Sequence, residues 1–255
     1  MLWYKSWLET RWRFLIGFAL LILSAMGCVF GYPQVIRLLP AARSIDASGE
    51  IGRRIKEAVE LSGTYRGYVW SQWFSQELLQ MWTLFAALVG SGSVFSRVSG
   101  DAALFTLSLP ASRNRVLGIR AATGFAELFA LAFVPSLIIP LCSPVVGQRY
   151  SFGDTLVYST CLFVAGSAFY CLALLLSTVF NDLWRPLLIT CAVAMVLALG
   201  EQALRTATTG GIFRVMSAQT YFQTGALPWI GLVVSLALSS VMLYGAATNI
   251  ARKDF

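Results

Sequence analysis

The sequence contains no histidine. That absence removes bis-His haem ligation, His-based zinc sites, Ser-His and Cys-His nucleophile pairs and HExxH hydrolases together, so most intramembrane enzyme chemistry lacks a group it needs. Charge is also scarce, at 12% of 255 residues. No GxxxxGK[ST] phosphate loop occurs, because Gly90-Ser91-Gly92-Ser93 lacks the following Lys. The five cysteines, Cys28, Cys142, Cys161, Cys171 and Cys191, are odd in number and form no CxxC pair, so neither a disulfide framework nor a metal site is expected. Paired carboxylates for acid-base work are not evident, since Asp101 and Glu127 should be separated by several helical turns. No catalytic residue is read from the sequence.

What fills the chain instead is apolar: 57% of residues are hydrophobic and the mean hydropathy is +0.70. Several runs approach the roughly 20 residues that a spanning helix needs, which predicts one all-α polytopic membrane domain over residues 1–255 with six transmembrane helices. The formal net charge of +7 could suggest nucleic acid, yet the Lys and Arg residues are spread through short loops beside apolar runs. They fit positive-inside anchoring at a membrane, with no nucleic-acid partner.

Residues 1–13 place Lys5, Glu9 and Arg13 on one helical stripe and Trp3, Tyr4, Trp7 and Leu8 on the other side, the pattern of an interfacial helix. The first span is expected over 14–30, with no A-x-A-like cleavage site after it. Gly27 and Gly31 form a GxxxG near its end. Residues 33–70 then make a long extracytoplasmic connection opening with Pro33 and Pro40, with one short helix from the Ser48 cap to the Gly63 stop. Further spans are expected at about 74–94, 121–141, 155–180, 187–204 and 229–248. Pro135 and Pro140 should disturb the third of the six, and residues 205–228 should form short helices dipping into the outer face.

Counting basic residues sets the orientation. With six spans, the side of the termini carries Lys5, Arg11, Arg13, Arg97, Arg113, Arg115, Arg120, Arg185, Arg252 and Lys253, against Arg149, Arg205 and Arg214 in the two short opposite loops. The 33–70 connection adds six basic residues to that opposite side, but four acids accompany them. Both termini are therefore expected in the cytoplasm.

Two acids in the spans call for an account. Glu127 should lie roughly 10 Å deeper than Arg120 on a continuous helix, and Glu77 lies near the start of its span. Each is either a polar group in a translocation or switching path, or a structural hydrogen bond to a neighbouring helix.

The stretch 97–120, RVSGDAALFTLSLPASRNRVLGIR, combines an amphipathic run, a Pro110 break and Ser112-Arg113-Asn114-Arg115, which gives two helices with a sharp turn between them. This wording resembles the cytoplasmic signature of type-2 ATP-binding-cassette exporter permeases, at Asp101, Thr106, Leu107, Leu109, Pro110, Ser112 and Arg113. It departs at the front, where Gly100-Asp101 and Ala102-Ala103 replace the more usual Glu followed by Gly and Thr. The order of an N-terminal interfacial helix, six spans, dipping helices before the last span and a basic tail ending in Lys-Asp is similar over nearly the whole chain.

The resemblance implies a membrane subunit of an ATP-driven exporter in a bacterial inner membrane. It would pair with a second permease and two separate ATPase subunits that hold ATP and Mg, and would bind no cofactor itself. The N-terminal helix and Gly100, Asp101, Thr106, Leu107, Leu109, Pro110, Ser112, Arg113 and Arg115 would contact the ATPases. Gly17, Gly27, Gly31, Ala194 and Ala198 are small enough to permit helix pairing in a dimer. The lack of a charged central path leans towards amphipathic or lipid-like cargo. The competing class is a non-transporting assembly or immunity module that binds a cytoplasmic partner through the same face. An intramembrane enzyme is the weakest of the three.

Overall fold

The computed structural model describes residues 2–43, 59–92, 113–180, 182–203 and 211–252, with positions 52 and 56. Among the described residues the chain is all-helical, without strands. Helix α1 covers Leu2–Arg43; α2 (Tyr65–Val69), a π-helical stretch (Trp70–Glu77) and α3 (Leu78–Gly90) follow one another without a break. Then come α4 (Arg113–Cys142) with a 3-10 turn (Ser143–Val146), α5 (Phe152–Val179), α6 (Trp184–Ala203), the short α7 (Ile212–Met216) and α8 (Gln219–Thr224), and α9 (Trp229–Arg252).

Five of these helices are long and apolar enough to cross a membrane: Thr10–Pro40, Arg115–Val146, Phe152–Val179, Trp184–Ala203 and Trp229–Ala251. The expected crossing at 74–94 is not among them. The reason lies in the π-helical WSQWFSQE, whose Ser, Gln and Glu side chains lower the hydropathy of the helix that contains it.

Successive long helices run antiparallel, so the molecule has two ends. Thr10 meets Glu127 and Asn249 meets Thr178 at the N-terminal pole, while Tyr65 meets Ser143 and Arg66 meets Asp154 at the distal pole. Helix α5 is the hub: 67% of its apolar window is buried, against 17% for both α6 and α9. Its small residues let partners close in. Gly166 lies directly beneath the Trp82 ring, and the Trp82 indole donates to the Leu128 carbonyl at 3.0 Å, fastening α3 to α4 and α5 at once.

Helix α1 differs from the expectation in two ways. The interfacial segment is not a separate element but its first turns, with Trp3, Trp7 and Trp12 exposed. The helix also continues through Pro33 and Pro40, both exposed, to Arg43. A proline costs a helix its own donor and one carbonyl partner, a loss that spanning helices absorb by local adjustment. The buried face of α1, Gly17, Leu21, Ala25, Cys28 and Tyr32, keeps the three-and-four spacing of a helix packed on one side. Helix α4 likewise passes Pro135 and Pro140 before tightening into the 3-10 turn. Pro186 sits within the first turn of α6. Of the expected helix in the long connection, positions 52, 56 and 59–62 are helical, and the Gly63 amide bonds back to the Glu60 carbonyl where the stop was expected. Ser48 lies outside the described residues.

Candidate functional site

Between the helical run Trp70–Gly90 and α6 lies a cavity of about 580 Å³. One wall is supplied by Ser75, Leu79, Gln80, Thr83, Leu84 and Ala87. The other runs from Thr190 through Ala194 and Ala198 to Gln202, and α7 with the start of α8 closes the distal end. The π-helical stretch contributes Ser75 at that end. A π-helix widens the turn and sets side chains off the regular helical stripe, and such segments are frequent at functional sites.

The ceiling is held by a chain of polar and aromatic contacts. The Phe213 amide donates to Glu201 Oε1 at 3.0 Å, tying α7 to the end of α6. The Trp70 indole donates to the Ser217 carbonyl at 2.9 Å, and its ring stacks on Phe222 with centroids 4.2 Å apart. Arg66 lies over the opposite part of this cluster, 5.8 Å from the Phe222 ring, and its Nε pairs with Asp154 at 3.0 Å. The second Asp154 oxygen accepts from the Tyr221 hydroxyl at 3.1 Å, and this hydrogen bond pushes the Tyr221 phenol above its ordinary value. Burial does the same to Tyr150, which packs edge-on to Tyr65. Between α7 and α8 the fully buried Ala218 has φ 46°, a left-handed conformation uncommon for a residue with a Cβ.

A second polar group occupies the N-terminal pole. Thr10 of α1 donates to Glu127 Oε1, both side chains are buried, and Glu127 Oε2 has no hydrogen-bond partner among the described residues. Arg13 Nη1 donates to the Leu88 carbonyl at 3.4 Å. The guanidinium groups of Arg13 and Arg120 lie against Gly92, where a Cβ would meet them. The Tyr170 hydroxyl of α5 bonds to the Ala121 carbonyl at 3.3 Å. Four helices therefore meet where residues 93–112 leave and rejoin the described chain.

The expected site residues separate into groups. Gly100, Asp101, Thr106, Leu107, Leu109, Pro110 and Ser112 lie outside the described residues; Arg113 opens α4 and Arg115 is exposed on its first turn. Glu127 belongs to the N-terminal clasp. Glu77 accepts from Ser24 of α1 and from Gln72 at 3.0 Å, so both of its oxygens are engaged within the helices. Neither acid lines the cavity. Gly17 packs against the Phe85 ring of the same chain and Gly31 against the Tyr68 hydroxyl, whereas Gly27 faces open space. Ala194 and Ala198 line the cavity.

The sequence reading passed over Trp70, Arg66, Asp154, Thr190 and Glu201. Asp154 carried a signal, as the fourth residue of a Ser-x-x-Asp start in which Ser151 caps the Asp154 amide at 3.3 Å. Gln72, Gln76 and Gln80 recur every four residues, which also marks a wetted or partnered face. Among the described residues no group of His, Cys, Asp and Glu is arranged to hold a metal ion. In comparisons with protein-family models, curated proteins and solved structures, nothing matches this chain.

Proposed function

We propose that the chain is the membrane-spanning subunit of an ATP-driven exporter in a bacterial inner membrane. It works beside a second permease of the same or a related sequence and two cytoplasmic ATPase subunits that carry ATP and Mg. In this reading the helical run Tyr65–Gly90 is a sixth crossing. At about 1.5 Å per residue it is roughly 39 Å long, more than the hydrocarbon core of about 30 Å. Its polar π-helical stretch is tolerable because neighbouring helices, and not lipid, surround Trp70, Trp73 and Phe74. The N-terminal pole, with both termini, faces the cytoplasm by its excess of Lys and Arg.

The observation that carries the reading is the clasp at the N-terminal pole. Thr10 and Arg13 of α1, Leu88–Gly92 at the end of α3, and Arg120 and Glu127 of α4 converge where segment 93–112 departs and returns. Force applied to that segment acts directly on α3, and α3 is also a wall of the cavity. ATPase closure would thus change the spacing between the cavity walls, and the chain itself hydrolyses nothing. The LPASR wording of residues 109–113 supplies the surface on which the ATPases rest.

The test uses spin labels at Leu84 and Met195, exposed on opposite cavity walls. In the assembled complex, ATP should change the distance between them. Leu109→Glu, Pro110→Ala or Arg113→Glu should leave ATP hydrolysis running while that change is lost. Retained coupling in all three variants would count against the contact.

A further inference from the structure

We propose that the distal pole contains a buried hydration site, with about one or two water molecules held between the Tyr150 and Tyr158 hydroxyls and the Arg66–Asp154 ion pair. The inference goes beyond the exporter reading and does not depend on it, because every group involved belongs to the fold.

It starts from two phenols. Tyr158 is fully buried and Tyr150 is 9% exposed, yet neither hydroxyl has a hydrogen-bond partner among the described residues. Other buried tyrosines are satisfied within the chain. Tyr65 shares a hydrogen bond with Ser143 Oγ at 2.7 Å, Tyr68 donates to the Cys28 carbonyl at 3.2 Å, and Tyr170 donates to the Ala121 carbonyl at 3.3 Å. A buried hydroxyl is ordinarily paired with protein or with ordered water, since an unpaired one loses its hydration and gains nothing in return.

The two phenols belong to one neighbourhood. Both rings pack on Phe74, with centroids 6.4 Å from it for Tyr150 and 4.7 Å for Tyr158. Along the chain they bracket Asp154, Tyr158 one helical turn beyond it on α5 and Tyr150 in the segment that leads into that helix. The charges of Arg66 and Asp154 act on both hydroxyls, and the Arg66 guanidinium reaches towards Tyr158 without closing a hydrogen bond of normal geometry. Four polar groups thus gather here, within the range of about two to four partners that a buried water uses.

Charge decides the class of ligand. Arg66 Nε is paired with one Asp154 oxygen at 3.0 Å, and the other oxygen accepts from Tyr221 at 3.1 Å, so the ion pair is balanced within the site. An added anion would meet Asp154, and an added cation Arg66, with no charge left to compensate it. Burial holds the Tyr150 phenol above its ordinary value, so it stays neutral and can both donate and accept. Water matches both capacities. Access is from outside the bundle, because the Arg66 side chain is 52% exposed and that of Asp154 18% exposed. Filled in this way, the site joins the segment before α5 to the network that already ties α2, α5 and α8 together.

The experiment is radiolytic footprinting of the purified chain in vesicles, with oxygen-18 water as the probe and adducts mapped by mass spectrometry. Radicals formed from a bound water label the side chain beside it, so Tyr150 and Tyr158 should take up the isotope well above Tyr65, Tyr68 and Tyr170, which are buried and already bonded. Uptake at Tyr150 and Tyr158 no greater than at those three would overturn the proposal, and this measurement needs no variant to fold. Tyr150→Phe and Tyr158→Phe should each lower the folded-to-unfolded ratio by roughly two- to tenfold in mixed micelles, the range of one hydrogen bond. Two variants as stable as the parent, or more stable, would show hydroxyls that bond to nothing and would equally overturn it. Exchanging chloride for gluconate at constant ionic strength should leave the stability unchanged. A gain in stability specific to chloride would assign the site to an anion and refute water as its occupant.

Discussion

Replacing Thr10 with Val removes one hydroxyl and almost nothing else, which makes it a clean probe of how α1 is fastened to the bundle. The hydroxyl donates to Glu127, with Thr10 at 7% and Glu127 at 3% exposure. A hydrogen bond to a charged group in a soluble protein contributes about 1.5–3 kcal/mol. Interhelical bonds measured within membranes average about 0.6 and reach about 1.7 kcal/mol, because the unfolded chain in the bilayer finds other partners. Here the second Glu127 oxygen already lacks a hydrogen-bond partner among the described residues, so losing Thr10 strips the hydrogen bond that the described residues give this carboxyl. The coupling should therefore fall in the upper part of the membrane range, about 1–1.7 kcal/mol. A double-mutant cycle of Thr10→Val, Glu127→Leu and their combination, measured by unfolding in mixed detergent micelles, gives this coupling directly. Glu127→Gln should lose less than Glu127→Leu, since its amide oxygen still accepts. A coupling indistinguishable from zero, with Thr10→Val as stable as the parent, would refute the claim that this bond holds the N-terminal turns against α4.

Three other substitutions read separate parts of the structure. Gly17→Ala places a methyl about 2.8 Å from the Phe85 ring and should destabilise by about 1–3 kcal/mol, with Phe85→Leu restoring much of the loss in the same unfolding assay. Gly27→Leu meets open space and should leave monomer stability unchanged, so any loss of self-association in cross-linking would assign Gly27 to a helix pair. Ala218→Val should cost more than about 2 kcal/mol, because a β-branched residue cannot settle at φ 46°, whereas Ala218→Gly should stay within about 1 kcal/mol as relief of strain offsets the lost methyl.

Much of the fold was legible because spanning helices declare themselves by length and hydropathy. The apolar runs behind α1, α4, α5, α6 and α9 stand out without reference to any partner. Their ends were less legible, and for a consistent reason: a proline stops a helix in water more reliably than in a bilayer. Thus Pro33, Pro40 and Pro135 lie inside helices. The run Tyr65–Gly90 was misjudged in its extent because its first half is polar by composition and protected only by tertiary packing. The candidate site was mostly hidden. Thr190 and Ala194 look like ordinary residues of an apolar helix, and only the facing wall gives them a cavity. Arg66, Asp154 and Tyr221 are far apart in sequence, so the network that joins them appears only after folding. Gly17 packs against the Phe85 ring of its own chain, a contact between residues far apart in sequence that only the folded chain discloses.

The central claim is that this chain transmits the work of a separate ATPase. The most direct measurement is gentle solubilisation of the native complex through a tag on this chain, followed by identification and counting of the co-purifying subunits. The account predicts two nucleotide-binding subunits per pair of permease chains, with the association weakened by Arg113→Glu. A native complex that contains no nucleotide-binding subunit would contradict it.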